Sequence, residues 1–153
     1  MSTGSINFFD VFSIESSGTV NLASGSFSVL LTTSTWTPLV ATHNRVDDVT
    51  NQVTTNLSVA RPALANVTWT DIGGGIGQFN SDNPVFTASG GSVTAHRYVL
   101  FDNTTGADST RPLIAWGLLD TTAGGTDVTV TATNTITINV NANGWFRHTL
   151  TDA

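Results

Sequence analysis

The fold is decided by the stretch Asn83–Asp120, NPVFTASGGSVTAHRYVLFDNTTGADSTRPLIAWGLLD, which holds the densest run of apolar and aromatic residues in the chain. Turn residues divide it into a short strand, Pro84–Ala88, and two longer strands, Val93–Asp102 and Leu113–Leu119. Ser89-Gly90-Gly91 is predicted to form a hairpin turn between the first two strands. The two longer strands are apolar on both faces, which predicts that they lie in the centre of a sheet covered on both sides.

Alternating apolar and polar residues predict further strands on either side of this stretch. The cleanest alternation is Asp127–Val140, which is long enough to predict a hairpin with a turn near Thr133-Asn134. The other predicted strands are Ser26–Thr33, with Phe27, Val29 and Leu31 on one face and Ser28 and Thr32 on the other, then Ala63–Asp71, a short edge strand at Gln78–Ser81, and Trp145–Leu150 after the Asn143-Gly144 turn.

Two segments have an ambiguous pattern. Ile6–Ile14 fits either a strand or a short helix that buries Phe8, Phe9 and Phe12. Trp36–Asn56 is the least strand-like part of the chain, and within it Asn44 is expected to cap a short surface helix, with a loop as the alternative.

These patterns together predict an all-β fold, an antiparallel β-sandwich or jelly roll with at most one short helix. Residues 1–5 are small and polar and are expected to form a flexible N-terminal arm, and residues 6–153 to form a single β-sandwich domain. The length of 153 residues is typical of one domain.

Composition excludes several classes of function. Charged residues make up 10% of the chain, lysine is absent and the net charge is −6, so nucleic-acid binding is not expected. The lack of cysteine excludes a disulfide framework, a thiolate nucleophile and a cysteine zinc site. The chain contains no apolar run of the roughly 20 residues that span a bilayer, and its N-terminus does not resemble a signal peptide, so we expect synthesis inside a cell and no membrane partner.

No motif in the chain predicts catalysis, a cofactor or a metal. The run Gly73–Gly77 lacks the residues of a phosphate-binding loop and is interpreted as a bulge or loop. The histidines, His43, His96 and His148, are scattered and are expected to face solvent. Asp102–Asp108 lacks the alternating acids of a calcium loop. We therefore expect a binding or structural protein, not an enzyme.

Trp36 is predicted to be the most exposed aromatic residue, because it lies between Thr35 and Thr37 and next to Pro38. The other three tryptophans lie among apolar residues of predicted strands, which favours core packing. Candidate contacts to a partner are therefore sought in the N-terminal region and in the Trp36–Asn56 segment. These candidates are Ser2, Ile6, Trp36, His43 and Arg45.

Three elements of the opening stretch carry a family resemblance: NPVFTA at Asn83–Ala88, RYVLFD at Arg97–Asp102 and PLIAWG at Pro112–Gly117. With SFSVLLT at Ser26–Thr32 and NGWF at Asn143–Phe146, they resemble small β-rich proteins encoded in the structural gene regions of tailed bacteriophages. The resemblance covers about residues 24–148 and implies a virion protein made in the host cytoplasm. The expected role is capsid decoration (cement): non-covalent binding to the major capsid protein at capsomer junctions, with a homotrimer favoured. The alternative is a tail or fibre-tip adhesin, or another tail or neck component, in which Trp36 contacts a host glycan.

Overall fold

The computed structural model describes residues 6–15 and 20–149, without the side chains of residues 13–15. Over these residues almost all the regular secondary structure is antiparallel β-strand, which confirms the all-β class. It has one short α-helix, α1 (Asp10–Glu15). The strands are β1 (Asn7–Phe8), β2 (Phe27–Thr32), β3 (Thr68–Asp71), β4 (Ile76–Asn80), β5 (Val85–Thr87), β6 (Val93–Ala95), β7 (Arg97–Asp102), β8 (Leu113–Leu118), β9 (Val128–Val130), β10 (Thr135–Thr137) and β11 (Phe146–Thr149).

The largest sheet has four strands in the order β1-β8-β7-β2. Its central strands, β7 and β8, come from the stretch that is apolar on both faces, so their predicted central position is confirmed. The outer edge of β2 is covered by an irregular segment, because Val29 N–H donates to Pro62 O (3.2 Å) and Leu64 N–H donates to Phe27 O (2.8 Å). This sheet forms the middle layer of the molecule.

Both predicted hairpins are wrong, although both turns lie near their predicted places. β5 pairs with β10 and β6 with β9, so residues 85–95 and 128–137 run antiparallel as one interrupted ribbon. At neither turn does the chain fold back so that the strands before and after the turn pair with each other. Asn56 holds the Ser89–Ser92 turn in place: its carbonyl accepts from Ser89 N–H (2.8 Å), and its side-chain amide donates to Ser92 O (3.1 Å). The opposite turn contains Thr133 at a positive φ of 74°.

The predicted strand Val93–Asp102 is broken at His96, and the prediction that His96 faces solvent is wrong. Its backbone leaves the ribbon for the middle sheet, because His96 N–H donates to Thr32 O (2.8 Å) and His96 O accepts from Leu119 N–H (3.0 Å). The imidazole is buried, and its Nδ1 lies 2.8 Å from Oδ1 of Asp127. Asp127 is itself exposed, but it is 31 positions away in sequence, so the local pattern around His96 does not reveal this partner.

The third sheet has the order β11-β4-β3, so the predicted edge strand near Gln78 is central in its sheet. The error arises because β11, its second neighbour, is far away in sequence. The predicted strand Ala63–Asp71 is also shorter than expected, and Ala63 and Ala65 are exposed. Asn66, with a φ of 51°, interrupts the extended backbone before β3 begins.

The ambiguous segment near the N-terminus contains both predicted alternatives, because β1 pairs with β8 and α1 follows directly. Phe9 is buried, whereas Phe8 is 40% exposed. The predicted arm, residues 1–5, and the predicted end of the last strand, Leu150, lie outside the described residues. Within residues 6–15 and 20–149, no helix has the length and apolarity needed to cross a membrane.

Two hydrophobic cores cover the two faces of the middle sheet. The first core packs it against the β11-β4-β3 sheet and the ribbon, and its largest members include Phe27, Phe79, Phe86, Tyr98 and Leu100. The second core lies on the opposite face and consists of Phe9, Val11, Leu30, Trp36, Val46, Val49, Val99, Phe101 and Leu113. Because the second core covers β2, Ser28 and Thr32 are buried, although the alternation along β2 predicts a polar face there.

Candidate interaction surface

The prediction that Trp36 is exposed is wrong, since its exposed fraction is 2%. Its ring lies in the second core, where it packs against Phe9 at a centroid distance of 6.4 Å. The imidazole of His43 stacks on the Trp36 ring at 5.7 Å with an angle of 18° between the rings. The backbone carbonyl of Trp36 accepts a hydrogen bond from the Arg97 guanidinium at 2.6 Å, which ties this segment to β7. Trp36 therefore supports the surface above it from within the core.

Immediately after Trp36, the chain exposes two aliphatic side chains, Leu39 (55%) and Val40 (38%), which we call the apolar tip. The tip is held in a closed loop. His43 N–H and Thr42 N–H both donate to Leu39 O, at 2.8 and 3.0 Å, and Leu39 N–H donates to Nδ1 of His43 at 3.3 Å. Val40 O accepts from Asp10 N–H at 3.0 Å, so the tip is also bound to the start of α1.

The chain then forms a three-residue 3-10 helix, Val46–Asp48, and the predicted Asn44 cap is wrong because Arg45 occupies the N-cap position. Instead, the carboxylate of Asp48 accepts from the backbone N–H groups of Asn44 (2.7 Å) and Arg45 (2.9 Å). Burial alone would raise the pKa of Asp48, but these two donors and the nearby charges of His43 and Arg45 hold the pKa below its ordinary value. Asp48 is thus fixed as a carboxylate that closes this turn.

An open depression of about 490 Å³ lies beside the apolar tip, and we call it the Arg45 depression. Its charged groups come from the 3-10 helix and the residue before it, and its apolar contribution comes from Val11 of α1. Its lining residues are Val11, Thr42, Asn44, Arg45, Asp47, Asp48 and Ser109. Such an open, mixed surface suits contact with another macromolecule better than enclosure of a small ligand.

Asp108 and Arg61 brace the segment behind the Arg45 depression. The Arg61 guanidinium donates to both carboxylate oxygens of Asp108, at 2.7 and 2.8 Å, and Arg111 donates to the same carboxylate at 2.8 Å. Arg61 also donates to the side-chain carbonyl of Gln52 at 2.7 Å, and the Gln52 amide donates to Val49 O at 2.9 Å. The hydrogen bonds from Arg61 are the largest cause that holds the pKa of Asp108 below its ordinary value.

We expect Asp108→Asn to lower the free energy of unfolding at pH 7 by about 1 kcal/mol, because the pair is partly exposed and therefore partly screened. A carboxyl group whose pKa is lowered on folding stabilises the protein above its ordinary pKa, 3.8 for aspartate. This contribution disappears as the pH falls below that value and through the folded pKa. The stability difference between wild type and Asp108→Asn should therefore narrow below about pH 4.

Urea unfolding measured between about pH 3 and pH 7 checks this prediction. Asp82→Asn is the matched control, because the carboxylate of Asp82 accepts from an uncharged amide, that of Asn66. It should lose less stability at pH 7 than Asp108→Asn. An Asp108→Asn variant as stable as wild type at pH 7 would contradict the bracing role of Asp108.

The structure brings together some of the predicted contact residues. His43 and Arg45 are half-buried and lie beside the apolar tip and the depression, respectively. Ile6 is half-buried and packs against the first core, away from the second core that holds Trp36. Ser2 lies outside the described residues. Sequence reasoning missed the apolar tip, although an aliphatic pair directly after Pro38 in a polar segment is a usable signal.

The other motifs form parts of the fold. The glycine run forms the turn between β3 and β4, where three consecutive glycines have positive φ angles. His148 is exposed on β11, as predicted, and is paired with Gly77. Asp102 is buried and accepts from Thr104 N–H at 2.8 Å. In the part of the chain that the structure describes, no group of three His, Cys, Asp or Glu side chains could hold a metal ion.

Comparisons of the chain with protein-family models, with curated proteins and with solved structures find no match.

Proposed function

We propose that this chain is a non-enzymatic structural protein of a bacteriophage virion that decorates the capsid. In this role it binds the major capsid protein non-covalently at capsomer junctions, as a homo-oligomer for which a trimer is favoured. It acts on the capsid surface after synthesis in the host cytoplasm. The resemblance of Asn83–Ala88, Arg97–Asp102 and Pro112–Gly117 to small phage virion proteins is the origin of this proposal.

The observation that supports a structural role best is the form of the surface built on the second core. It presents an exposed aliphatic pair next to an open depression, on a segment fixed by main-chain hydrogen bonds. The nearby ionised groups of Asp48 and Asp108 are engaged in holding the fold. An apolar contact framed by polar groups is the usual make-up of a protein–protein interface, which for a decoration contact would bury roughly 1,200–2,000 Å².

The glycan-binding alternative rests on an exposed Trp36, and the burial of that side chain removes its main contact. Aromatic rings that bind a sugar must present a face to solvent. The Trp36 ring is instead packed against Phe9 and stacked with His43, and only 2% of the residue is exposed. This burial removes the support for an adhesin as a second function.

The proposal is tested on particles of the phage that encodes this chain. One preparation comes from phage that makes the protein, and the other from phage in which its gene is deleted. Cryo-electron microscopy of intact particles should show extra density at regular positions on the head when the protein is present. Purified protein added back to heads that lack it should restore this density and raise the temperature at which the heads release DNA. Protein found only on tails, or absent from purified virions, would overturn the proposal.

A further inference from the structure

We infer that Asn143 is a site of spontaneous covalent modification, in which its side-chain amide is lost by reaction with the backbone nitrogen of Gly144, and that the turn Asn141–Gly144 sets the rate in the folded protein. The reaction is deamidation, which converts the asparagine to aspartate or isoaspartate. The inference goes beyond the proposed role on the capsid and does not depend on it. It rests on the sequence of the turn, its hydrogen bonds and the exposure of Asn143.

The fold itself requires the reactive pair. Asn143-Gly144 is the one Asn-Gly pair in the sequence, and it lies just before β11. Position 144 needs glycine, because its φ is 72° and a Cβ atom there would collide with the backbone oxygen of Phe79. A residue without a Cβ is also the least obstructed neighbour for the asparagine side chain that precedes it. The turn therefore fixes next to Asn143 the residue that makes it most reactive.

The side chain of Asn143 is open to the reaction. Asn143 is exposed, and within residues 6–15 and 20–149 its side-chain amide forms no hydrogen bond. By contrast, the side chain of Asn56 is held in place by its hydrogen bond to Ser92 O. Asparagine is a thermally labile residue, and the Cγ carbon of Asn143 is accessible to attack.

The chemical steps use only groups of the chain, hydroxide and water. The Gly144 amide gives its proton to hydroxide, and its nitrogen attacks Cγ of Asn143. The Cγ–Nδ2 bond breaks as the new C–N bond forms a succinimide ring, and ammonia leaves with a proton from water, which regenerates hydroxide. Water then opens the ring at one of its two carbonyl carbons. Opening at Cγ gives aspartate, and opening at the backbone carbonyl gives isoaspartate, whose main chain runs through Cγ.

The turn controls how often the nitrogen of Gly144 can react. Its N–H donates to Asn141 O at 2.9 Å, and the N–H of Asn143 donates to the side-chain oxygen of Asn141 at 2.6 Å. An N–H that is held by a carbonyl is harder to deprotonate, and its nitrogen cannot approach Cγ until the turn opens. Residues 141–143 are exposed, so this opening can occur locally, without unfolding of the whole domain.

The isoaspartate product should loosen the start of β11. It adds a methylene to the main chain at a place where the backbone is closely packed. Gly144 lies against the carbonyl of Phe79, and the same carbonyl accepts from Trp145 N–H at 2.8 Å. A longer turn cannot keep both contacts, whereas the aspartate product leaves the main chain unchanged.

Peptide mapping by mass spectrometry, on the full chain incubated in mildly alkaline buffer with and without guanidinium chloride, tests the inference. Asn143 should be the first asparagine to become an acid in both conditions. Its reaction should be at least about tenfold slower in the folded protein, because only the opened turn reacts. Asn139 is the internal control, since it is exposed but is followed by the β-branched Val140, and it should react far more slowly in denaturant.

Two variants separate the role of the turn from that of the sequence. Asn141→Ala removes the side-chain acceptor of Asn143 N–H and should raise the rate in the folded protein at least about threefold, because one fewer hydrogen bond closes the turn. The rate in denaturant should not change. Asn143→Gln should abolish the modification at this position, because the longer side chain forms the corresponding ring much more slowly. Thermal unfolding checks that both variants are folded.

Three results would overturn the inference: faster modification of another asparagine than of Asn143, equal rates at Asn143 in folded and denatured protein, or a folded Asn141→Ala variant that reacts no faster than wild type. None of these results depends on a capsid. The proposed function is tested on particles, so either proposal can fail while the other stands.

Discussion

Phe79→Ala is expected to lower the free energy of unfolding by about 3–5 kcal/mol, the range for loss of a fully buried phenylalanine. Phe79 lies on β4, the central strand of its sheet, and its side chain is completely buried. Its ring meets Phe27 of β2 edge-on at 5.0 Å and stacks on Phe146 of β11 at 5.2 Å. Truncation removes contacts on both sides and leaves a cavity between two sheets that cannot easily collapse.

Urea unfolding followed by tryptophan fluorescence measures the loss. Phe8→Ala is the matched control, because it removes the same side chain from a position that is 40% exposed. Its ring still contacts Phe12 and Phe146, so a smaller loss of about 1 kcal/mol is expected. Equal losses for Phe79→Ala and Phe8→Ala would show that the space between the two sheets is not the main core.

The strands that could be predicted are those whose signal is local. β2, β7 and β8 carry enough consecutive apolar residues to be recognised without knowledge of their partners. The pairing of the shorter strands outside this sheet could not be predicted in the same way. The pairing of β5 with β10 and of β6 with β9 depends on contacts between residues more than 30 positions apart. The turn between β5 and β6 and the turn between β9 and β10 have the composition of ordinary hairpin turns, which wrongly suggests that each turn joins two paired strands.

The burial of Trp36 shows the same limit at the candidate site. The residues beside it in sequence are polar or proline, and they suggest an exposed ring. Its position is decided by Phe9 and by the sheet beneath it, which come from other parts of the chain, and by His43 of the same segment. The Trp36–Asn56 segment is therefore a second covering layer of the sheet, and the large apolar side chains that it exposes are Leu39 and Val40.

The ion pair between Arg61 and Asp108, which braces this layer, also could not be predicted from the sequence. The two residues are 47 positions apart, and neither lies in a pattern that marks an ion pair. By contrast, Asp48 and Arg45 are close in sequence, and the local pattern predicts a short surface helix capped by Asn44 there, with a loop as the alternative. In the structure the helix is a single three-residue 3-10 turn, Val46–Asp48, and the Asp48 carboxylate caps it in place of the Asn44 side chain.

Gly117→Ala is expected to lower the free energy of unfolding by about 1–3 kcal/mol, although alanine normally suits a strand better than glycine does. Gly117 lies in β8 directly opposite Tyr98 of β7, whose ring lies across it. A Cβ atom at Gly117 would lie 2.6 Å from Cε1 of Tyr98, closer than packed carbon atoms tolerate. Tyr98 is itself 1% exposed, so its ring has little room to move away.

The control is Gly106→Ala, because a Cβ there meets no atom within 4 Å and its φ is not in the left-handed region. That variant should be unchanged, or more stable by about 0.4–1 kcal/mol through the smaller entropy of its unfolded chain. A double-mutant cycle with Tyr98→Leu then isolates the contact. If the ring is the obstacle, Gly117→Ala should cost at least about 1 kcal/mol less in the Tyr98→Leu background than in wild type. Strictly additive effects would show that Gly117 is required by the backbone of β8 and not by the ring that lies across it.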